Sequence, residues 1–147
     1  MSTRIWFRDY DLDALQQRQT GTLGAFLGIV FTAIEDDALE ATMPVDARTR
    51  QPLGIMHGGA SAALAEGLAS AASNLCLDLE RFYAVGLSLE IHHLRQVREG
   101  LVRARTTPLH LGRRTHLWSI TVTDEDGRGV SDARLTTMIL ARDVPRA

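Results

Sequence analysis

The stretch Gly54–Leu75, GIMHGGASAALAEGLASAASNL, carries one carboxylate, Glu66, inside a run built almost entirely from Ala, Gly, Ser and Leu. From His57 to about Leu77 the composition predicts one long helix, roughly five to six turns at ~3.6 residues per turn. Ala60, Ala62, Ala63, Ala65, Ala69, Ala71 and Ala72 put short side chains on nearly every face of it. A surface helix would show a polar stripe. This one reads as a central helix that a sheet can approach closely all round.

The flanking sequence supplies that sheet. Asp11 is placed to cap a short helix from Leu12 to about Arg18, ended by Thr20-Gly21. AFLGIVFTAI reads as a strand, Asp36-Asp37 as a turn, and ALEATMPV as a second strand closed by Pro44. After the helix come RFYAVGLSLEIHHL, LVRARTTPLHL, THLWSITVTD and GVSDARLTTMIL, all strand-like, with the short loops LGRR and DEDGRG between the later ones. Two strands, one long helix and four strands predict an α+β fold: an antiparallel sheet curled around a single helix.

At 147 residues, with no repeat or linker, the whole chain suits one domain spanning 1–147. Net charge near −2 gives no basic field for nucleic acid or an anionic membrane. All sixteen basic residues are Arg. Cys76 is the only cysteine, which excludes an intrachain disulfide and multi-thiolate zinc clusters. The N-terminus is too polar for a signal peptide, and the longest apolar run contains Glu66 and is mostly Ala, so it does not read as a membrane span. A soluble cytoplasmic protein is expected.

Glu66 is the one formally charged side chain between His57 and Leu77. Burying an unpaired carboxylate costs several kcal/mol, and such a group usually raises its pKa instead. A lone helical Glu is commonly solvated or paired with an Arg. Here the lack of other charge on the helix, and Ser70 at i+4 on the same face, favour a functional role. At the helix start, His57-Gly58-Gly59 follows Gln51-Pro52. Unpaired amides there favour a developing anion, and glycines let a ligand come close to the backbone. Taken alone, His57 would be a cap and Gly58-Gly59 a plain turn. Glu66 lies nine residues beyond His57, or ~13 Å along the axis. One carbonyl cannot touch both ends in the same chain, so a shared reaction requires at least a dimer.

The run TRQPLGIMHGGASAALAEGLAS resembles the helix-start motif of the hotdog-fold acyl-CoA thioesterases. The nearest branch holds the proofreading thioesterase of enterobactin synthesis and the 1,4-dihydroxy-2-naphthoyl-CoA thioesterase of menaquinone synthesis. LEATMPVDARTRQP, VREGLVRARTTPLHLGRR and DEDGRGVSDARLTTMIL extend the likeness, in order, over most of the chain. The resemblance implies a hotdog fold, two sheets joined into one across a homodimer, and usually a dimer of dimers, a homotetramer. It also implies hydrolysis of acyl-CoA or aroyl-CoA thioesters without metal or organic cofactor, coenzyme A being part of the substrate. Glu66 matches the catalytic carboxylate, and Gly58 the residue whose N–H polarises the thioester carbonyl. Gln51 and His57 match residues that orient the carbonyl and thiol-side groups from the partner chain, Ser70 a hydroxyl that helps place the attacking water, and His93 a histidine of the acyl pocket.

Thioester hydrolysis needs an oxyanion donor and a base or nucleophile, and Glu66 suits either route. By period two, Val85, Leu87, Leu89, Ile91 and His93 share one strand face, which puts His93 inward, as an acyl-pocket residue or a hydrogen-bonded core histidine, and His92 outward. Arg95, Arg113 and Arg114, at strand ends or in the LGRR turn, are candidates for the CoA phosphates. Adjacent His92 and His93 point to opposite faces and cannot share a metal. Ser61 in GASAA lacks the surroundings of a nucleophile elbow, and Cys76 reads as a small buried apolar residue. An acyl or aryl carrier protein is an alternative thiol carrier. A hotdog-fold dehydratase or hydratase, or a non-catalytic acyl-CoA-binding module, is the alternative function.

Overall fold

The computed structural model describes residues 3–143. Two short helices, α1 (Leu12–Gln17) and α2 (Leu23–Phe26), precede strands β1 (Val30–Ile34) and β2 (Leu39–Pro44). The long helix α3 (Gly58–Leu75) follows, then β3 (Phe82–His93), β4 (Leu101–Leu111), β5 (Thr115–Thr123) and β6 (Gly129–Ala141).

Alanine and leucine favour α3 intrinsically, and His57 caps it, its Nδ1 accepting the Gly59 N–H at 2.7 Å. The helix ends at Leu75, two residues before the expected end, with Cys76 as its C-cap. Leu64, Leu68 and Leu75 are fully buried among the core residues, each contributing about 2 kcal/mol of apolar burial. The burial is one-sided, however. Ala62, Ala63, Glu66, Ser70 and Ala71 are half-buried and Gly67 is exposed, so a single chain covers one side of the helix rather than all of it.

The six strands form one antiparallel sheet in the order β1-β2-β4-β5-β6-β3. It curls over the inner side of α3, with Trp118, Ile120 and Leu135 fully buried beneath. β4, β5 and β6 fall where the hairpin signals place them. The first expected strand is corrected. Its front half is helical, because Thr22 caps Leu23–Phe26, and Gly28 at φ +76° then turns the chain into β1 at Val30. A short continuous apolar run does not distinguish the two periodicities.

An amide side chain meets each edge of the sheet. At β1, Gln16 accepts from the Phe31 N–H at 2.9 Å and donates to the Ile29 carbonyl at 3.2 Å. At β3, Asn74 accepts from the Ala84 N–H at 2.9 Å and donates to its carbonyl at 3.1 Å. Ile139, opposite Ala84, gives its N–H to Arg114 on the β5 side. Ala84 is therefore in a non-hydrogen-bonded pair and its backbone groups point out of the sheet. A bulge between Gly86 and Ser88 then shifts the register. Beyond it Leu94 donates to Val130, so by alternation Leu89, Ile91 and His93 project their N–H and C=O groups from an open edge.

That bulge corrects the expected inward face of β3. Ala84 and Gly86 face α3 before it, and Leu89 and Ile91 pack against the core after it. Val85 and Leu87 are 39% and 55% exposed and do not share that face. One inserted residue exchanges the two sides of a strand.

Candidate active site

Glu66 stands half-buried at mid-α3, on the side the sheet leaves open. Among the described residues it has no hydrogen-bond or ion-pair partner. A β-carbon built on Gly86 would land on Glu66 Oε1, so the carboxylate fills the gap left by that glycine. Ser70, one turn along, is also half-buried, and its hydroxyl has no partner among the described residues. A cavity of about 490 Å³ opens beside Glu66, between Leu27, Ile29 and Phe31 on one side and Ala63 and Gly67 on the other. That volume lies within the ~300–1,000 Å³ typical of small-molecule sites.

The helix start forms a second cluster. The Gly59 N–H is taken by His57, whereas the Gly58 N–H has no partner among the described residues. With Nδ1 accepting, the neutral His57 ring carries its proton on Nε2, a free donor on an exposed side chain. Gln51 uses its Oε1 on the Leu53 N–H at 2.5 Å, and its amide donors have no partner among the described residues. Hydrogen bonds from His57 N to the Thr49 carbonyl and from Met56 N to Val97, both 2.7 Å, hold the loop. His93 is exposed rather than a core histidine, yet its ring lies against Gly58, with Nε2 2.9 Å from where a β-carbon would stand.

Gly58 and Glu66 are eight residues apart on one straight helix, about 12 Å along the axis. A single chain therefore presents two candidate half-sites: the amide cluster of Gln51, His57, Gly58 and His93, and the carboxylate cluster of Glu66 and Ser70. The arginines divide as well. Arg95 donates its backbone N–H to Val130 near the start of β6, and Arg114 accepts from Ile139 near its end. Nine residues of strand, about 30 Å, separate those two points. Arg95, Arg113 and Arg114 are all exposed, but one chain does not gather them around one nucleotide.

The remaining titratable groups take structural places. His92 faces outward and hydrogen-bonds Glu90 at 2.8 Å. His116 is buried beside Ser73, whose hydroxyl also meets Thr137 at 2.7 Å and accepts from Trp118 at 2.6 Å. Ser61, inside α3, is buried against Ser131. Burial pushes the Cys76 thiol up to about 12, which leaves it unreactive. Among the described residues, no three His, Cys, Asp or Glu side chains stand close enough to hold a metal ion, and no helix is long and apolar enough to cross a membrane.

The sequence reading missed Gly86, Gly67, and the Leu27–Phe31 wall of the cavity. A glycine in mid-helix beside the lone acid was a usable signal for Gly67. The strand glycine carried none, since its neighbour is twenty residues away in the chain.

A long helix bearing one acid, an open amide at its start and a curled antiparallel sheet define a fold and two candidate half-sites. Residues 53–131 match the thioesterase superfamily, and the chain belongs to that family. It is 50% identical to the 1,4-dihydroxy-2-naphthoyl-CoA hydrolase of Escherichia coli over 136 residues, 92% of this chain and 99% of the relative. It is 49% identical to the proofreading thioesterase EntH of Cronobacter sakazakii, over 92% of this chain and 98% of the relative. Among solved structures, a thioesterase of Haemophilus influenzae superposes with a TM-score of 0.92 at 40% identity, covering 97% of this chain and 99% of the other. The six-stranded sheet on one long helix is thus the hotdog architecture expected from the sequence.

Proposed function

We propose that this chain hydrolyses acyl-CoA or aroyl-CoA thioesters at sites assembled from two copies of itself. The carrying observation is that Gly58 and Glu66, each free of an internal partner among the described residues, sit too far apart on α3 to serve one carbonyl alone. The open β3 edge from Leu89 to His93 suits antiparallel pairing with the same edge of a second copy, and the exposed Val85 and Leu87 lie beside it. Such pairing would continue the sheet through the dimer and carry one copy's helix start toward the other's Glu66. Two dimers associating into a tetramer belong to the same proposal, as does the cytoplasmic location expected from composition.

In this reading the acyl group enters the apolar cavity and the thioester carbonyl meets the Gly58 N–H of the second copy. Glu66 takes a proton from water as its oxygen attacks the carbonyl carbon, and Ser70 holds that water. The oxyanion collapses, the C–S bond breaks, and the thiolate leaves with the proton held by Glu66. Direct attack by Glu66, giving a mixed anhydride that water then opens, uses the same groups. An amide donor contributes about 3 kcal/mol, and a general base about 10²–10⁴-fold. Gln51, His57 and His93 surround the carbonyl and thiol side. No metal or organic cofactor enters either route.

Release of free thiol from benzoyl-CoA, followed with a thiol reagent, tests the activity, and a carrier-protein thioester can be compared in the same assay. Glu66→Gln should lose most turnover with fold and oligomeric state intact. Unchanged kcat in that variant, or hydration of an enoyl-CoA in place of thiol release, refutes the proposal.

A further inference from the structure

We propose that Gly86 is a positioning residue for Glu66: by lacking a side chain, it leaves the one space in which the carboxylate can lie against the edge strand. This rests on the hydrolase reading above and assigns a role to a residue outside both half-sites.

Glycine in a strand interior usually answers a backbone need, such as a positive φ or a close main-chain approach. Neither applies here. The φ of Gly86 is not positive, so its φ does not require a glycine. The three atoms nearest to a β-carbon at this position are Oε1, Cδ and Cγ of Glu66. Nothing from the backbone or the core stands in the way.

The strand is also held so that the gap cannot simply widen. Asn74, two turns beyond Glu66 on α3, grips both backbone groups of Ala84 and donates to the Ser70 carbonyl at 2.8 Å. Immediately after Gly86 the bulge turns Leu87 outward. Edge strand and helix are therefore locked together two residues before the glycine, and the strand's register shifts just after it. A methyl group at position 86 would meet the carboxylate in a fixed frame, and the flexible Glu66 side chain would have to yield.

The test is a double-substitution cycle on the full chain with benzoyl-CoA as the probe. Gly86→Ala should lower kcat by about 10²-fold for a displacement near 1 Å, with KM within about twofold and the melting temperature unchanged. In the Glu66→Asp background, where the carboxylate is one methylene shorter and drawn back from the added methyl, the same Gly86→Ala change should cost less than a threefold loss in kcat. Full kcat in Gly86→Ala overturns the proposal. So does an equal loss in both backgrounds, which would assign the effect to strand packing, and so does failure of Gly86→Ala to fold. The two readings separate cleanly: a dead Glu66→Gln with a fully active Gly86→Ala removes the role of Gly86 alone, whereas an active Glu66→Gln removes the hydrolase reading and this inference with it.

Discussion

His93 Nε2 lies 2.9 Å from the position a β-carbon on Gly58 would occupy, and Cε1 lies at 3.2 Å, so ring and bare helix end share one small space. That space adjoins the helix start whose N–H is the proposed oxyanion donor. Gly58→Ala would push the imidazole aside and crowd the proposed site of the oxygen. Loss of one oxyanion donor typically costs about 10²–10³ in kcat. Because alanine keeps the N–H, Gly58→Ala should lose kcat only by crowding and by no more than that range, and the Gly58→Ala/His93→Ala double variant should recover part of the loss by removing the crowding. Steady-state kinetics decide this, and kcat retained within twofold would show that a methyl group at position 58 does not obstruct the reacting carbonyl.

The proposed division of each site between two chains has a quantitative consequence. Glu66→Gln and His57→Ala disable opposite halves, so each pure variant should be nearly inactive. In a hybrid dimer one site keeps both wild-type halves and the other has neither. Random exchange of equal amounts makes half of the dimers hybrids, restoring about one quarter of wild-type activity. The measurement is activity against time after mixing under conditions that dissociate and reassociate the subunits. If hybrids form and activity stays at the level of the separate variants, the sites lie within single chains.

Gly67 borders both Glu66 and the cavity, and a β-carbon built on it meets nothing within 4 Å. Glycine inside a helix costs about 1 kcal/mol relative to alanine. Gly67→Ala should therefore raise the melting temperature, with little effect on catalysis. Gly67→Leu should intrude into the cavity and raise KM for benzoyl-CoA severalfold while sparing a short acyl-CoA. An unchanged ratio of kcat/KM between the two substrates would place the acyl group elsewhere.

What could be read from the chain alone follows the range of the forces involved. α3 was legible because its composition has no other stable use, and β4 to β6 because LGRR and DEDGRG separate runs of strand-forming residues. Glu66 stood out against the absence of other charge. The α2 turn did not, because LGAFLGIV is apolar at every spacing and Thr22 and Gly28 decide its course locally. Period two carried across Gly86 to Ser88 misplaced Val85 and Leu87, since a bulge leaves no mark on an alternating pattern. His93 over Gly58 and Gly86 under Glu66 are contacts between elements far apart in sequence, and no local rule contains them.

The core beneath the site should make stability depend on pH. His116 is 3% exposed and bonded to Ser73, and its pKa is held below the ordinary histidine value, first by burial and then by repulsion from His110. In the unfolded chain the ring takes up a proton below about pH 6.5. The folded chain refuses that proton until a lower pH. Between the two values the unfolded state binds more protons, so stability falls as pH drops below about 6.5 and levels off once the folded ring also charges. Carboxylates held low by their partners, such as Asp46 by Arg48 and Asp124 by the Arg128 backbone N–H and side chain, lose their contribution only at more acidic pH. Urea unfolding at pH 8 and at pH 5.5 should show this loss, and His116→Gln should flatten it. Ser73→Ala should lower stability at every pH by about 1–3 kcal/mol, because the buried Trp118 N–H loses its acceptor. A pH dependence unchanged by His116→Gln would assign the acid sensitivity to other groups.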